Sequence, residues 1–127
     1  MPDEHTTLIS SSEAYLQANP KVAAGFVQAT RRGYQFAADH PDEAAALLSA
    51  ANKDALTNPA LISASLKALI DGHFLRSQSG AIGTLDPAKM EAIGDYLFAA
   101  GILRDADGGV VKQRPDFAGY FSNAYLG

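Results

Sequence analysis

The 127-residue sequence has no cysteine and no tryptophan, and its aromatic set is six phenylalanines and five tyrosines. Without cysteine, disulfides, thiolate nucleophiles and cysteine-ligated metals are excluded within the chain. Alanine carries much of the 47% hydrophobic fraction, and this composition favours closely packed helices over a sheet of β-branched residues. Basic residues are scattered, ten against fourteen acidic ones for a formal charge of −4, so there is no electrostatic footprint for a phosphate backbone and nucleic acid is not an expected partner. Nowhere do about 18 apolar residues run together, so no membrane insertion is expected. Met1-Pro2-Asp3-Glu4-His5 lacks the basic start of a signal peptide. The length suits a single domain over residues 1–127.

What the sequence does have is punctuation. A capping-type residue precedes proline at Asn19-Pro20, Asn58-Pro59 and Asp86-Pro87, with His40-Pro41 and Arg114-Pro115 as weaker versions, and each stands before helical periodicity. Ser10 with Glu13 reads as a capping box for a short helix ending near Ala18. From Pro20 to about Asp39, Val22, Phe26, Ala29, Gly33 and Phe36 share one face, widened by Val27 and Tyr34, while Lys21, Gln28, Arg32 and Gln35 collect opposite. Asp42 and Glu43 open a helix with Ala44, Leu47, Leu48 and Ala51 as its inner stripe, their charge suiting the positive end of the dipole. Ile62, Leu66, Leu69 and His73 share a face in the helix from Pro59, and Gly72 marks its end. Residues 72–85 read as a loop.

The stretch from Pro87 to Ala100 is the most completely delimited helix. Asp86 caps it, Gly101 stops it, and Ile102 is placed to fold back on Leu97, while Met90, Ile93, Leu97 and Phe98 form a stripe that needs a partner surface. Strand is confined to Thr6–Ile9 and to Val110-Val111. The expected buried set is Phe26, Val27, Leu48, Leu66, Leu69, Ile93, Leu97 and Phe98, and the aromatic tail from Phe117 to Leu126 is expected to dock.

No constellation of reactive residues outweighs its structural explanation. His5, His40 and His73 are far apart and lack the convergent ligands that a metal or a general base requires. Asp105, Asp107 and Asp116 fall at positions 1, 3 and 12 of a calcium-loop template, but Val110 occupies the position of its required glycine, so a turn is the better reading. Gly80-Ala81-Ile82-Gly83 lacks the lysine of a phosphate loop; a connector or a loop near a ligand are its two readings. Arg31-Arg32 reads either as an anion site or as a solvated face, with the Arg31 stem covering Val27 and Tyr34. Ser10, Ser11 and Ser12 have neither a nucleophile elbow nor a base. No catalytic, metal-binding or ligand-binding residue is assigned, and no cofactor is expected.

Read in order, "SSEAYLQANPKVAAGFVQATRRGYQFAADHPDEAA", "LDPAKMEAIGDYLFAAGIL" and "FSNAYLG" strongly resemble the C-terminal part of the NMT1/THI5-like substrate-binding proteins. These are ABC-importer receptors for thiamine pyrimidine precursors, related to nitrate, sulfonate and taurine receptors. The most specific piece is the Arg32-Gly33-Tyr34 helix ending in His40-Pro41-Asp42-Glu43-Ala44-Ala45, where His40 stands in place of the family's usual Asn. The resemblance implies a mainly α chain with at most one or two short strands: the helical C-terminal segment of a type II periplasmic-binding-protein-like α/β fold whose upstream lobes are absent here. It implies a portion of a solute-binding protein, without catalysis, that encloses its solute only together with those lobes and delivers it to an ABC permease, periplasmic or cell-surface for a full-length receptor. The family's loop aromatic is replaced by Ile82, so no ring remains there to stack on a pyrimidine. Two alternatives are a stand-alone helical interaction module and part of a pyrimidine-precursor synthase. With no upstream sheet, the apolar stripes call for a second copy, and a homodimer is expected.

Overall fold

Four of the five α-helices among the described residues begin on proline. The computed structural model describes residues 8–126; Thr6, Thr7 and His5 lie outside them. Helix α1 spans Glu13–Ala18, α2 Pro20–Asp39, α3 Pro41–Ala51, α4 Pro59–Asp71 and α5 Pro87–Ala99, and a 3-10 turn covers Phe117–Tyr120. Proline suits the first helical position because the N–H it lacks has no intrahelical partner there. Asn58 accepts the Leu61 N–H at 3.1 Å and Asp86 accepts the Ala88 N–H at 2.9 Å, capping α4 and α5. The chain is mainly α, and extended pairing among the described residues is a single antiparallel bridge between Arg104 and Val110.

Three caps differ from expectation. Helix α1 starts at Glu13, so Ser12 rather than Ser10 takes the capping position and accepts the Tyr15 N–H at 3.2 Å. Glu13 then accepts from Gln17 one turn on, at 2.9 Å, and does not close a box. Asn19 works backward: its side-chain amide and its own N–H both donate to the Tyr15 carbonyl, at 3.2 and 2.9 Å, so it closes α1 and leaves α2 without a side-chain cap. No α-helix follows Pro115; Asp116 instead accepts the Ala118 N–H at 3.2 Å to start the 3-10 turn.

Two compact units divide the chain. The larger comprises Ser11–Thr84 with residues 125–126, the smaller residues 8–10 with Leu85–Ala124. In the larger, α3 packs between α2 and α4. Its core joins Ala44, Leu66 and Leu75, with Tyr34, Phe36, Ala37 and Ile70 against them; Ala23, Ala45 and Ile82 are also buried. In the smaller, α5 carries the 3-10 turn. Phe117 is buried against Gly94, where an added Cβ would lie 2.6 Å from ring carbons. The Arg114 guanidinium lies 4.8 Å from the other partner of this contact, the Phe117 ring centroid, and pairs with Asp95 and Glu91. Asn123 ties the tail to Leu85 by accepting its N–H and donating to its carbonyl, each at 2.9 Å.

The expected buried set is largely corrected. Leu66 is 7% exposed, but Phe26 is 59% exposed, Leu48 and Leu69 are exposed, and Val27, Ile93, Leu97 and Phe98 are only half-buried. The α2 face turned inward carries Ala23, Val27, Tyr34 and Ala37, so most of the predicted stripe, including Val22 and Phe26, is left uncovered. On α3 the contact is made by Ala44 and Ala45 instead of by Leu47 and Leu48. No large side chain among the described residues is fully buried. The tail docks through Phe117, whereas Tyr120 is 78% exposed.

Glycine replacements separate filled from open helix faces. Gly94→Ala should destabilise by about 1–3 kcal/mol, because the Phe117 ring must move to admit a methyl group. Gly25→Ala and Gly33→Ala, whose added Cβ meets nothing within 4 Å, should each stabilise by about 0.5–1 kcal/mol through helix propensity. Urea unfolding of the three variants checks both signs.

Candidate functional site

The polar side of α2 is where the sequence places its only adjacent arginines, and the structure builds a cleft on it. Gln28, Arg31, Arg32 and Gln35 follow one another at i, i+3, i+4 and i+7 and therefore share a face. Together with Ile82 and Leu126 they line a concavity of about 370 Å³. Arg31 is half-buried: its Nε donates to the Ile82 carbonyl at 3.1 Å and its Nη1 to the Leu126 carbonyl. Of the two readings of this pair, the solvated face does not hold for Arg31, which is fastened to two backbone segments distant in sequence. Arg32 stays exposed.

Glycines let this loop approach. Gly83 has φ +75°, and a Cβ there would lie 3.4 Å from Arg31 Cγ. Gly80, at φ +86°, closes a turn in which Ser77 donates its N–H to the Ala81 carbonyl at 2.9 Å and its carbonyl accepts the Gly80 N–H at 2.9 Å. The Ser77 hydroxyl accepts the Ala81 N–H at 3.0 Å. The N–H groups of Gly80 and Ala81, which a phosphate loop would present to its ligand, are thereby used inside the turn, and Ile82 is buried.

A second concavity of about 250 Å³ in the larger unit is bordered by Ala38, Ile70, His73 and Arg76 among others. His73 is outside α4, which ends at Asp71, and takes the left-handed conformation at φ +59°. His40 stacks on Phe36 with ring centroids 5.0 Å apart and makes no side-chain cap. The acidic residues of the calcium-loop template are dispersed into local turns. Asp105 Oδ1 accepts the N–H groups of Asp107 and Gly109 at 3.1 and 2.7 Å, while Asp116 starts the 3-10 turn. Among the described residues no three His, Asp or Glu side chains converge on a possible metal position.

Asp39, at the end of α2, accepts from Arg76 Nη2 at 2.6 Å and from the Gln35 amide. Arg76 first, and Gln35 second, hold its carboxyl below its ordinary value of 3.8. A depressed native pKa contributes stability that is present above the unfolded-state value and lost as pH falls through the native one. Asp39→Asn should therefore lower the denaturation midpoint at pH 7, and the difference from wild type should close as both are acidified below the carboxylate range. Unfolding curves recorded at a series of pH values check this.

A family model described as "NMT1/THI5 like" matches residues 1–44. The match runs through α1 and α2, including both cleft arginines, to the start of α3. No curated protein and no solved structure matches the chain. No helix among the described residues is long and apolar enough to cross a membrane. Over its first 44 residues the chain is similar to the NMT1/THI5-like family.

Proposed function

We propose that the chain is the helical portion of a solute-binding protein serving an ABC importer, for a thiamine pyrimidine precursor or a related small solute. The observation that carries this reading is the set of uncovered apolar residues of α2, α3 and α4 in the larger unit. Val22 and Phe26 on α2, Leu47 and Leu48 on α3, and Leu61 and Leu69 on α4 are all exposed, on the part of the chain where the family match lies or which directly follows it. Helices that clad a sheet in an α/β lobe are apolar on the side they give to that sheet. Such a protein would act outside the cytoplasmic membrane and hand its solute to a permease, its affinity arising from closure of two lobes around the solute. In this reading the helices contribute scaffold and not chemistry.

A neutral pyrimidine, with no charge to hold it, needs concave burial of most of its surface, and both clefts here are open troughs on one unit. Calorimetry of the chain alone with a hydroxymethyl aminopyrimidine should give little heat. A longer product that joins this sequence to the ~200 residues of alternating strand and helix which the reading calls for should give saturable heat. Micromolar binding by the chain alone, or none by the longer product, overturns the reading. Alone in water, the uncovered faces should meet a second copy, because monomers rarely leave large apolar patches exposed. Sedimentation equilibrium at micromolar concentration should show a dimer, and Phe26→Ser should shift it toward monomer.

A further inference from the structure

We propose that the cleft between the polar face of α2, Ile82 and Leu126 is a binding site for an oxyanion group, phosphate or carboxylate, of a small solute. The site uses only residues of this chain, so it stands independently of the import reading above.

Four observations converge on it. First, its lining holds two guanidinium groups and two amides but no carboxylate. Second, two of the three arginines elsewhere in the chain are neutralised, Arg76 by Asp39 and Arg114 by Glu91 and Asp95, and the third, Arg104, is exposed at an isolated bridge and does not line the cleft. Neither Arg31 nor Arg32 has an acidic partner among the described residues. Asp39, one turn beyond Gln35 on α2, is already engaged by Arg76 and by the Gln35 amide. Third, Arg31 is pre-positioned. Its Nε and Nη1 are committed to the Ile82 and Leu126 carbonyls, which fixes the plane of the guanidinium and leaves Nη2 without a protein acceptor among the described residues.

Fourth, the apolar side of the trough is Ile82, 5% exposed, and the half-buried Leu126. Such walls lower the local dielectric, so the two positive charges act more strongly on an anion there than they would on an open surface. Arg32 presents a planar fork of five donors that matches a carboxylate or phosphate edge. Gln28, one turn before it on the same face, adds an amide donor. The ligand class follows from this inventory: donors and positive charge for one oxyanion, with an aliphatic wall beside it for a small organic body.

The test is titration of the chain with inorganic phosphate, with succinate and with sodium chloride at constant ionic strength, followed by NMR of arginine Nε–H and backbone amide signals. Saturable shifts confined to residues 28–35, 82 and 126 are expected with phosphate or succinate, and the tighter of the two identifies the oxyanion. Arg32→Gln should weaken that binding at least about tenfold, the loss expected for removing a charged hydrogen-bond partner, while leaving the thermal midpoint unchanged, since Arg32 is exposed and has no hydrogen bond or ion pair with the described residues. Arg31→Lys, which keeps the charge but not the planar fork, should also weaken it. A response to both oxyanions no different from chloride, or an Arg32→Gln variant that titrates like wild type, overturns the proposal.

Discussion

The helical arrangement of the larger unit depends on two alanines. Ala44 and Ala45 are the buried residues of α3, and α3 is the helix that packs on both α2 and α4. With a methyl group as the whole side chain, helix axes can approach to the short end of the usual 8–10 Å range. The consequence is rotational. Once Ala44 and Ala45 face inward, Leu47 and Leu48 are turned outward, and both are exposed. The same geometry on α2 puts Ala23 and Ala37 inside and Phe26 outside. A pair of helices that bury their small residues and expose many of their large ones makes contacts that are close but whose hydrophobic yield is low, because that yield scales with apolar area removed from water.

This explains which features were legible in the sequence. Helix starts and stops are local: proline at the first position, Asn58 and Asp86 as caps, and Gly101 as terminator are settled by the few residues that make them. The start of α2 at Pro20 and its end near Asp39 were readable in the same way, from the prolines that follow Asn19 and His40. Facing is not local. Periodicity identified an apolar stripe through Val22, Phe26, Ala29 and Gly33, and that stripe exists, but periodicity cannot say whether its partner lies in the same chain. The Arg31 clamp was invisible for a related reason. Its acceptors are the backbone carbonyls of Ile82 and Leu126, 51 and 95 residues away, and a carbonyl leaves no trace in side-chain pattern. The relevant hint was Gly83, placed where a Cβ would crowd the arginine stem.

Two helices end in the same way through different residues, both near the glycine that marks the end in the sequence, but at only one does that glycine take the left-handed position. After α5 the N–H of Gly101 donates to the Phe98 carbonyl at 3.0 Å and that of Ile102 to Leu97 at 3.1 Å, with Gly101 at φ +66°. After α4 the N–H of His73 donates to Ile70 at 3.0 Å and that of Phe74 to Leu69 at 2.9 Å, with His73 in the left-handed position. Both are Schellman endings. The glycine at the end of α4 comes one residue early, and at φ −79° Gly72 has no need of its conformational freedom. Its role is space: a Cβ there would lie 2.5 Å from the Phe74 ring. So Gly72 admits the ring while His73 bears the left-handed strain, typically about 1–2 kcal/mol for a residue with a side chain.

The arginines sort themselves by what holds them, and the sorting has an electrostatic logic. Arg114 sits over the Phe117 ring with Asp95 and Glu91 beside it, and those carboxylates raise its affinity for its proton. That group is closed, with charge, ring face and carboxylates all mutually satisfied. Arg76 is balanced by Asp39. Arg31 is held by two carbonyl dipoles, which engage its Nε and Nη1 without cancelling its charge. A guanidinium restrained in this way keeps its full positive field, and its adjacent neighbour Arg32 adds to it. In a chain whose net charge is −4, this concentrates positive potential at one concave place on α2, where counter-charge must come from outside the side chains that line it.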